Sequence, residues 1–410
     1  MEILKAFKYR LKPSEEQLDL FLRMAGCGRL IYNHALFDML EIAKKHLRHE
    51  GDRKILYKLL NNLSYEQRKE LKRLFPSVTQ LSKSTTQLKK TERYSFLTEA
   101  YTDNLQQRQR DLDSAITEWL KGKRGFPVFR SRKKAHHSTM RFVNFSKYCK
   151  LEGNRVKLPN GIGWMRFNKS QNVLGEIRNC TITKNPQGHW FIAFQCKLDI
   201  ELIRSGSGSV GIDMGVAKNM TLSNGTVFEG VSSFKTYKDK LAVEQRKLSR
   251  KVKGSANWLK QKDKVNRVHA KISNIRIDYQ QKATTEISKN HAMVVVEALK
   301  IANMSKSAKG TADQHGKNVA QKSGLNRSIL DQGWGEIRRQ LAYKMMWQGG
   351  IYVEVDPKHT SQTCPACQHK AAENRKMQSN FTCLACGYSE NADLVAANNI
   401  LSRGLNSLAS

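Results

Sequence analysis

Four cysteines and three carboxylates carry the chemistry of this sequence. Cys364 and Cys367 form one Cys-x-x-Cys pair and Cys383 and Cys386 a second, with 15 residues between them. The two-residue gap turns both sulfurs of a pair toward one point. Two such pairs supply four thiolates that close a tetrahedron around Zn(II). Gly387 suits the tight backbone after the second pair. Two disulfides or a redox pair are the competing readings, and two matched pairs favour the metal. Four sulfurs leave no open coordination position, so this Zn(II) is structural. The carboxylates are Asp213, then Glu297 84 residues on, then Asp393 96 residues further. Taken singly, an acid at a strand end is a cap or a surface charge. Asp213 is odder, because an unpaired charge inside Gly211-Ile212-Asp213-Met214-Gly215 would be desolvated. A bound cation is one answer. Phosphodiester hydrolysis by two Mg(II) ions needs hard oxygen ligands that hold the ions ~3.5–4 Å apart. No Ser, Tyr or Cys nucleophile is then required.

The elements that must position these acids are legible around them. Residues 210–215 read as a buried strand, and 293–296 as another that ends in Glu297. Residues 391–400, which carry Asp393, read as a helix. Two strands and a helix supplying Asp, Glu and Asp make a ribonuclease H-like arrangement. Between the first two acids, residues 236–290 are long, helical and basic, with 13 Lys/Arg against 4 Asp/Glu in 241–290. Asn224-Gly225 marks a hairpin returning to Val227 and Phe228. A polar loop is expected over 304–324, then a helix at 334–347 and a strand at 351–355. The Gly/Ser run 205–209 reads as a flexible linker, with a new domain starting after it. Upstream, 5–11 alternate as a short strand, and Ser14 with Gln17 reads as a helix-opening capping box. The text is helical to about Lys121 and breaks at Gly125-Phe126-Pro127. Strands follow over 140–198, the clearest hairpin turning at residues 185–188. The N-terminal strand joins this β module, with the helices inserted between.

Composition narrows the partners. The 410 residues hold 71 Lys/Arg against 36 Asp/Glu, a net charge of +35, which points to a polyanion, foremost nucleic acid. The basic run Arg130, Arg132, Lys133 and Lys134 is a candidate phosphate contact. No stretch of 18 apolar residues predicts a membrane span, and the charged N-terminus has no secretory apolar core. A hydrophobic content of 39% with 6 Trp argues against wholesale disorder. Cys27, Cys149, Cys180 and Cys196 lack matched spacing and read as buried apolar residues in a reducing cytosol. Trp190, Trp334 and Trp347 read as core, and His359 as a local hydrogen-bonding residue.

Several blocks together resemble the TnpB family, transposon-encoded relatives of the type V CRISPR nucleases. They are residues 358–367, 381–387 and 393–400 at the C-terminus, 5–13 and 28–33 near the N-terminus, and 125–129 and 211–215 in the middle. The resemblance covers nearly the whole chain in order. It implies an α+β multidomain fold: a β-barrel wedge domain (1–12 and 122–204), an inserted helical recognition domain (13–121), a RuvC-like α/β nuclease domain (205–362 and 388–410), and a zinc ribbon (363–387) inserted in it. It implies RNA-guided cleavage of double-stranded DNA, with a guide RNA from the transposon's right end and a short motif beside the target read by protein. Asp213, Glu297 and Asp393 fall on the family's metal-binding acids, and Cys364, Cys367, Cys383 and Cys386 on its zinc ligands. The family often has Asp two residues before the last acid and Asn two after it; here those positions are Asn391 and Val395. The expected place is the prokaryotic cytoplasm, beside the nucleoid. A strand-joining transposase and a guided repressor without cleavage are the rival readings; the intact acids argue against the second.

Overall fold

In the computed structural model, which describes residues 1–132, 138–202, 206–311 and 314–409, Ser14 opens the first helix as its sequence implies. Its side chain accepts from the Gln17 amide, and the Gln17 side chain accepts from the Ser14 amide at 3.0 Å. Ser64 with Gln67 and Ser77 with Gln80 repeat the same device at two later helices. The chain divides into two compact units, Glu2–Asp199 and Ile200–Ser410, with Met1 joining the second.

The first unit contains strand β1 (Glu2–Lys12), helices α1 (Glu15–His46), α2 (Arg53–Asn62), α3 (Tyr65–Leu74), α4 (Val78–Lys89) and α5 (Thr102–Leu120), then strand β2 (Met140–Val143). A single turn, α6 (Phe145–Tyr148), precedes β3 (Lys150–Glu152), β4 (Arg155–Leu158), β5 (Gly163–Asn168), β6 (Glu176–Lys184) and β7 (Trp190–Asp199). The strands form one antiparallel sheet in the order β2-β6-β7-β1-β5-β4-β3. β1 sits at its centre, so the N-terminal strand does join the later β module. The expected barrel is a curled sheet instead. β2 and β3 are its two edges and do not pair with each other among the described residues. One core fills the sheet with Phe7, Tyr9, Phe142, Phe194 and Trp190, and Phe21 and Met24 of α1 enter it. The far half of α1 serves a second core through Leu36, Met39 and Leu40, against Leu60, Leu71, Leu112 and Trp119. Cys149, Cys180 and Cys196 are buried in the sheet core and Cys27 beside it, as free thiols.

The second unit is built on a five-stranded sheet, order β10-β9-β8-β11-β12. Its elements are β8 (Ser209–Asp213), β9 (Met220–Leu222), β10 (Val227–Phe228), α7 (Ser233–Ser249), α8 (Ala256–Asn290), β11 (Met293–Glu297), α9 (Ile301–Met304), α10 (Val319–Gln332), α11 (Trp334–Trp347) and β12 (Ile351–Val355). A two-stranded ribbon, β13 (Asn380–Thr382) with β14 (Ser389–Asn391), and the last helix α12 (Ala392–Ala409) complete it. β8, β11 and β12 are parallel, and helices cover both faces, which explains the unbroken apolar text of β11. Val210, Ile212, Val294 and Val296 point to one face, against Ile287, Trp334 and Ile337. Met293, Val295 and Val355 point to the other, against Ile400 of α12.

Two expectations need correcting. The run 205–209 is not a loose tether where it is described. A Cβ on Gly206 would lie 2.4 Å from the His291 amide nitrogen, the Gly208 carbonyl accepts from the Ala292 and Met293 amides, and Ser209 already belongs to β8. Small residues there serve close packing, which composition alone cannot separate from flexibility. The polar stretch 304–324 also turns helical at Val319, where α10 begins with only Ile329 and Gln332 buried. A helix with so narrow an apolar stripe leaves little pattern to read.

Glycine explains how closely α12 seats on the sheet. A Cβ on Gly211 would stand 2.1 Å from the Ala397 carbonyl oxygen, and one on Gly404 would stand 2.4 Å from a Val295 methyl. We expect Gly211→Ala to push the helix off β8 and to cost about 1–3 kcal/mol or more, as overpacking does. Chemical denaturation read beside cleavage checks this; an unchanged midpoint would mean the helix is not seated so tightly.

Candidate active site

β8 and β11 run side by side in register, with Ile212 opposite Val296, so Asp213 and Glu297 occupy the next rung at the same strand ends. Alternation places both on the face that α12 covers. Asp393 stands in the first turn of α12. The strand-to-strand step and the helix start therefore bring together three acids separated by 84 and 96 residues of sequence. Glu297 is buried, and Asp213 and Asp393 are half-buried.

The electrostatics show that Asp213 feels the other two. Burial first, then the charges of Glu297 and Asp393, push the Asp213 carboxyl up to about 7; Arg375 opposes the shift. Burial also raises Glu297, against a hydrogen bond from Thr360 and the charge of Arg403. Three carboxylates, with Arg375 and Arg403 beside them, are a poor arrangement for folding alone. Oxygen ligands are what a hard divalent cation takes, and among the described residues only the four cysteines already stand close enough together to share one ion.

Glu297 and Asp393 are held by neighbours. The Thr360 hydroxyl donates to Glu297 Oε1 at 2.6 Å. Asn399 of α12 donates its side-chain amide to the carbonyls of Thr360 and Thr363, at 2.7 and 2.8 Å. Arg403 donates to the carbonyls of Asp356 and Lys358, which fixes the same loop from the next turn. Arg375, just upstream of β13, lies 3.4 Å from Asp393 Oδ1 and donates to the Gln378 carbonyl at 2.7 Å. Asn391 caps α12, its side-chain oxygen accepting from the amides of Asp393 and Leu394. Val395 is fully buried beside Phe381 and Cys383. The two departures from the family's usual pattern thus serve helix capping and packing. Sequence reasoning missed Thr360, Arg375, Asn399 and Arg403. Thr360 and Asn399 lay inside blocks that were read, whereas nothing marks Arg375 among 71 Lys/Arg.

The four cysteine sulfurs lie within 4.8 Å of one another. Cys364 and Cys386 are 3.6 Å apart, and Cys367 and Cys383 are 3.5 Å apart. A tetrahedron with metal–sulfur bonds of ~2.3 Å has edges of about 3.8 Å, so the quartet fits an ion bound by four thiolates. Asn374 ties the two halves together. It donates to the Gln362 and His369 carbonyls and accepts from the Leu384 amide, placing its neighbour Arg375 beside Asp393. His359 accepts its predicted local role, with Nδ1 2.8 Å from Gln362 Oε1.

The basic run on the first unit is more committed than its composition suggests. The Arg130 guanidinium lies 3.8 Å from the Tyr32 ring centre and pairs with Asp111, while its backbone amide donates to Asn33. Arg132 is exposed. Lys133 and Lys134 lie outside the described residues. Trp190 and Trp334 are buried core residues, and Trp347 is half-buried with its ring against Tyr343. No helix among the described residues is long and apolar enough to cross a membrane.

Comparison with known proteins shows what the chain is similar to. Residues 204–308 match a family described as "Probable transposase", 334–400 match "Cas12f1-like, TNB domain", and 1–47 match "Helix-turn-helix domain". Here that last stretch is a strand followed by one unbroken helix of 32 residues. Over 405 residues the chain is 42% identical to "Putative RNA-guided DNA endonuclease InsQ" of Escherichia coli (strain K12), covering 98% of this chain and 93% of that protein. Over 407 residues it is 31% identical to a "Putative RNA-guided DNA endonuclease" of Streptomyces pristinaespiralis, covering 98% and 90%. Its fold resembles the protein of the "Cryo-EM structure of the Cas12f1-sgRNA-target DNA complex", with a TM-score of 0.54 at 12% identity over 97% of this chain and 98% of that one.

Proposed function

This chain belongs to the TnpB family, within the OrfB/IS605 transposase group, and from that premise we propose that it is an RNA-guided endonuclease of double-stranded DNA whose single nuclease site is Asp213, Glu297 and Asp393. The observation that supports the reading is the register of β8 on β11, which sets Asp213 and Glu297 at the same strand ends, on the face covered by the helix whose first turn carries Asp393. In this reading the five-stranded unit is a RuvC-type nuclease domain and the cysteine quartet closes a structural zinc ribbon. The seven-stranded sheet is the wedge domain, and the helices over 13–121 are the recognition domain.

Two Mg(II) ions, when bound, supply an activated water and a stabilised leaving oxygen for phosphodiester hydrolysis. The chain's own residues do the positioning. Thr360 holds one oxygen of Glu297, leaving the other for a cation. Asn391 fixes the helix start that carries Asp393. Arg375 supplies a fixed positive charge beside the acids, where charge develops on phosphate in the transition state. The surplus of basic residues suits a guide RNA and its paired target, whose backbone and shape the protein holds while base pairing reads the sequence. The guide derives from the transposon's right end, and protein reads a short motif beside the target.

A strand-joining transposase would employ the same acids without a guide. Sequencing the RNA that leaves an expressing cell with the purified protein, its native transposon end expressed beside it, separates the two. One discrete RNA ending in a variable, target-like segment is expected. Random cellular fragments, or no RNA, would favour the transposase.

A further inference from the structure

Helices α7 and α8 form an arm that stands apart from the sheet core. Only the last part of α8, through Ala283 and Ile287, joins the core with β8 and β11. Arg276 and Gln280 reach Asp331 and Gly333, and the part before them packs on α7 in a small separate cluster of Leu241, Val265, Val268 and Ile272 with Phe234, Tyr237 and Leu248 around it. Along one face of α8, Lys260, Lys264, Arg267 and Lys271 follow one another at spacings of four, three and four, and all are exposed. Tyr237, Lys240 and Glu244 follow at the same helical spacing on α7. The two faces border one cavity of about 300 Å³, lined by Tyr237, Lys240, Glu244, Lys264, Arg267 and Lys271.

This face is costly for the protein alone. Lys260 with Lys264, and Arg267 with Lys271, are like charges four residues apart, which destabilise a helix. The one carboxylate in the groove is already engaged: Gln261 donates to Glu244 Oε2 at 2.6 Å, and Lys247 lies 3.5 Å from Oε1. Four cations against one paired acid, around a concavity on a narrow arm, call for a polyanion. The α8 stripe runs 11 steps along the helix, from Lys260 to Lys271, about 16 Å, or close to half a turn of duplex. The groove stands formed on its own packed helix pair, which suits an occupant kept throughout over one that comes and goes. A guide RNA stays bound between cleavage events, whereas the DNA leaves.

We propose that the α7–α8 arm is a clamp for the guide RNA backbone, seating phosphates in the groove between Lys240, Lys264, Arg267 and Lys271. The proposal rests on the RNA-guided reading above, so the wild-type protein is measured first with its copurified RNA. Failure of the wild type to hold a discrete RNA would overturn that reading. If the wild type does hold one, Lys264→Gln/Arg267→Gln/Lys271→Gln isolates the arm. Binding is read as affinity against salt concentration. The triple Gln variant should lose at least about tenfold at ~0.15 M salt and flatten the log–log salt slope by about three, one for each lost phosphate contact. Lys264→Arg/Arg267→Lys/Lys271→Arg, which keeps every charge, should restore both, and melting curves should show all three proteins folded. RNA affinity and slope within twofold of wild type in the Gln variant would overturn the clamp. So would an equal loss in the charge-keeping variant, which would mark a packing defect. Unchanged RNA binding with weakened target-DNA binding by the RNA-loaded protein would assign the groove to DNA and overturn it as well.

Discussion

Asp213→Ala should reduce DNA cleavage by about 10²–10³-fold or more, the scale of removing one preorganised electrostatic element from an active site. RNA and target binding should stay within a few-fold, because the residue sits at a strand end beneath α12 and holds no backbone phosphate in this account. Stability should move in the opposite direction to activity. The folded-state carboxyl is raised to about 7, above its ordinary value of 3.8, so the folded chain binds this proton more tightly than the unfolded one. Stability from this group is then present at low pH and is lost as pH rises from about 4 through 7. Asp213→Asn removes that loss. Without divalent ion at pH 8 it should melt higher than the wild type, and added Mg(II) should raise its melting point less. Cleavage by Asp213→Ala at the wild-type rate would remove these acids from the mechanism.

Cys364→Ser should strip the ribbon of its metal and carry the nuclease site down with it. Three remaining thiolates bind weakly, and the ribbon's own core is small: Cys364, Phe381 and Cys383 with Ala392, Val395 and Tyr388. A module of that size depends on its ion to fold. Two of its core residues, Ala392 and Val395, flank Asp393 on α12. Asn374 and Arg375 sit between the cysteine pairs, where Asn374 joins the two halves and Arg375 reaches Asp393. Thr363, which accepts from Asn399, directly precedes Cys364. Cleavage should therefore fall by roughly 10–100-fold, the range for losing the support of a metal site, although no acid is touched. Metal analysis should give one zinc per wild-type chain and a small fraction of that in the variant. Equal zinc in both proteins would contradict the four-thiolate site.

The parts of this molecule that were legible in its sequence are those fixed by local chemistry. Ser14 with Gln17 announced α1 because a capping box is satisfied within four residues. Paired cysteines announced their cluster because two-residue gaps set sulfur direction locally. β11 was legible as a buried strand because both its faces are covered. What stayed hidden depends on distant partners. Gly206 and Gly208 read as a tether, yet Gly206 is packed against residues 290 and 291, and Gly208 turns at positive φ while its carbonyl accepts from the Ala292 and Met293 amides. The barrel came from the family resemblance alone, since alternation reports which face is buried and says nothing about whether edge strands meet. Arg375 could not be singled out, since its importance arises only when Asn374 folds the ribbon back beside Asp393. The convergence of the three acids lies between these cases. Each strand and helix was readable alone, and the register of β8 on β11 supplied the rest.

The central claim is that a bound RNA chooses where these acids cut. The most direct measurement replaces the variable end segment of the copurified RNA with a new sequence. The reconstituted protein is then offered two linear duplexes in Mg(II), one matching the old segment and one matching the new, each with the same flanking motif. The account predicts that cutting moves entirely to the newly matched duplex and that Asp213→Ala cuts neither. Cutting that ignores the swap, or that proceeds equally without RNA, would contradict it.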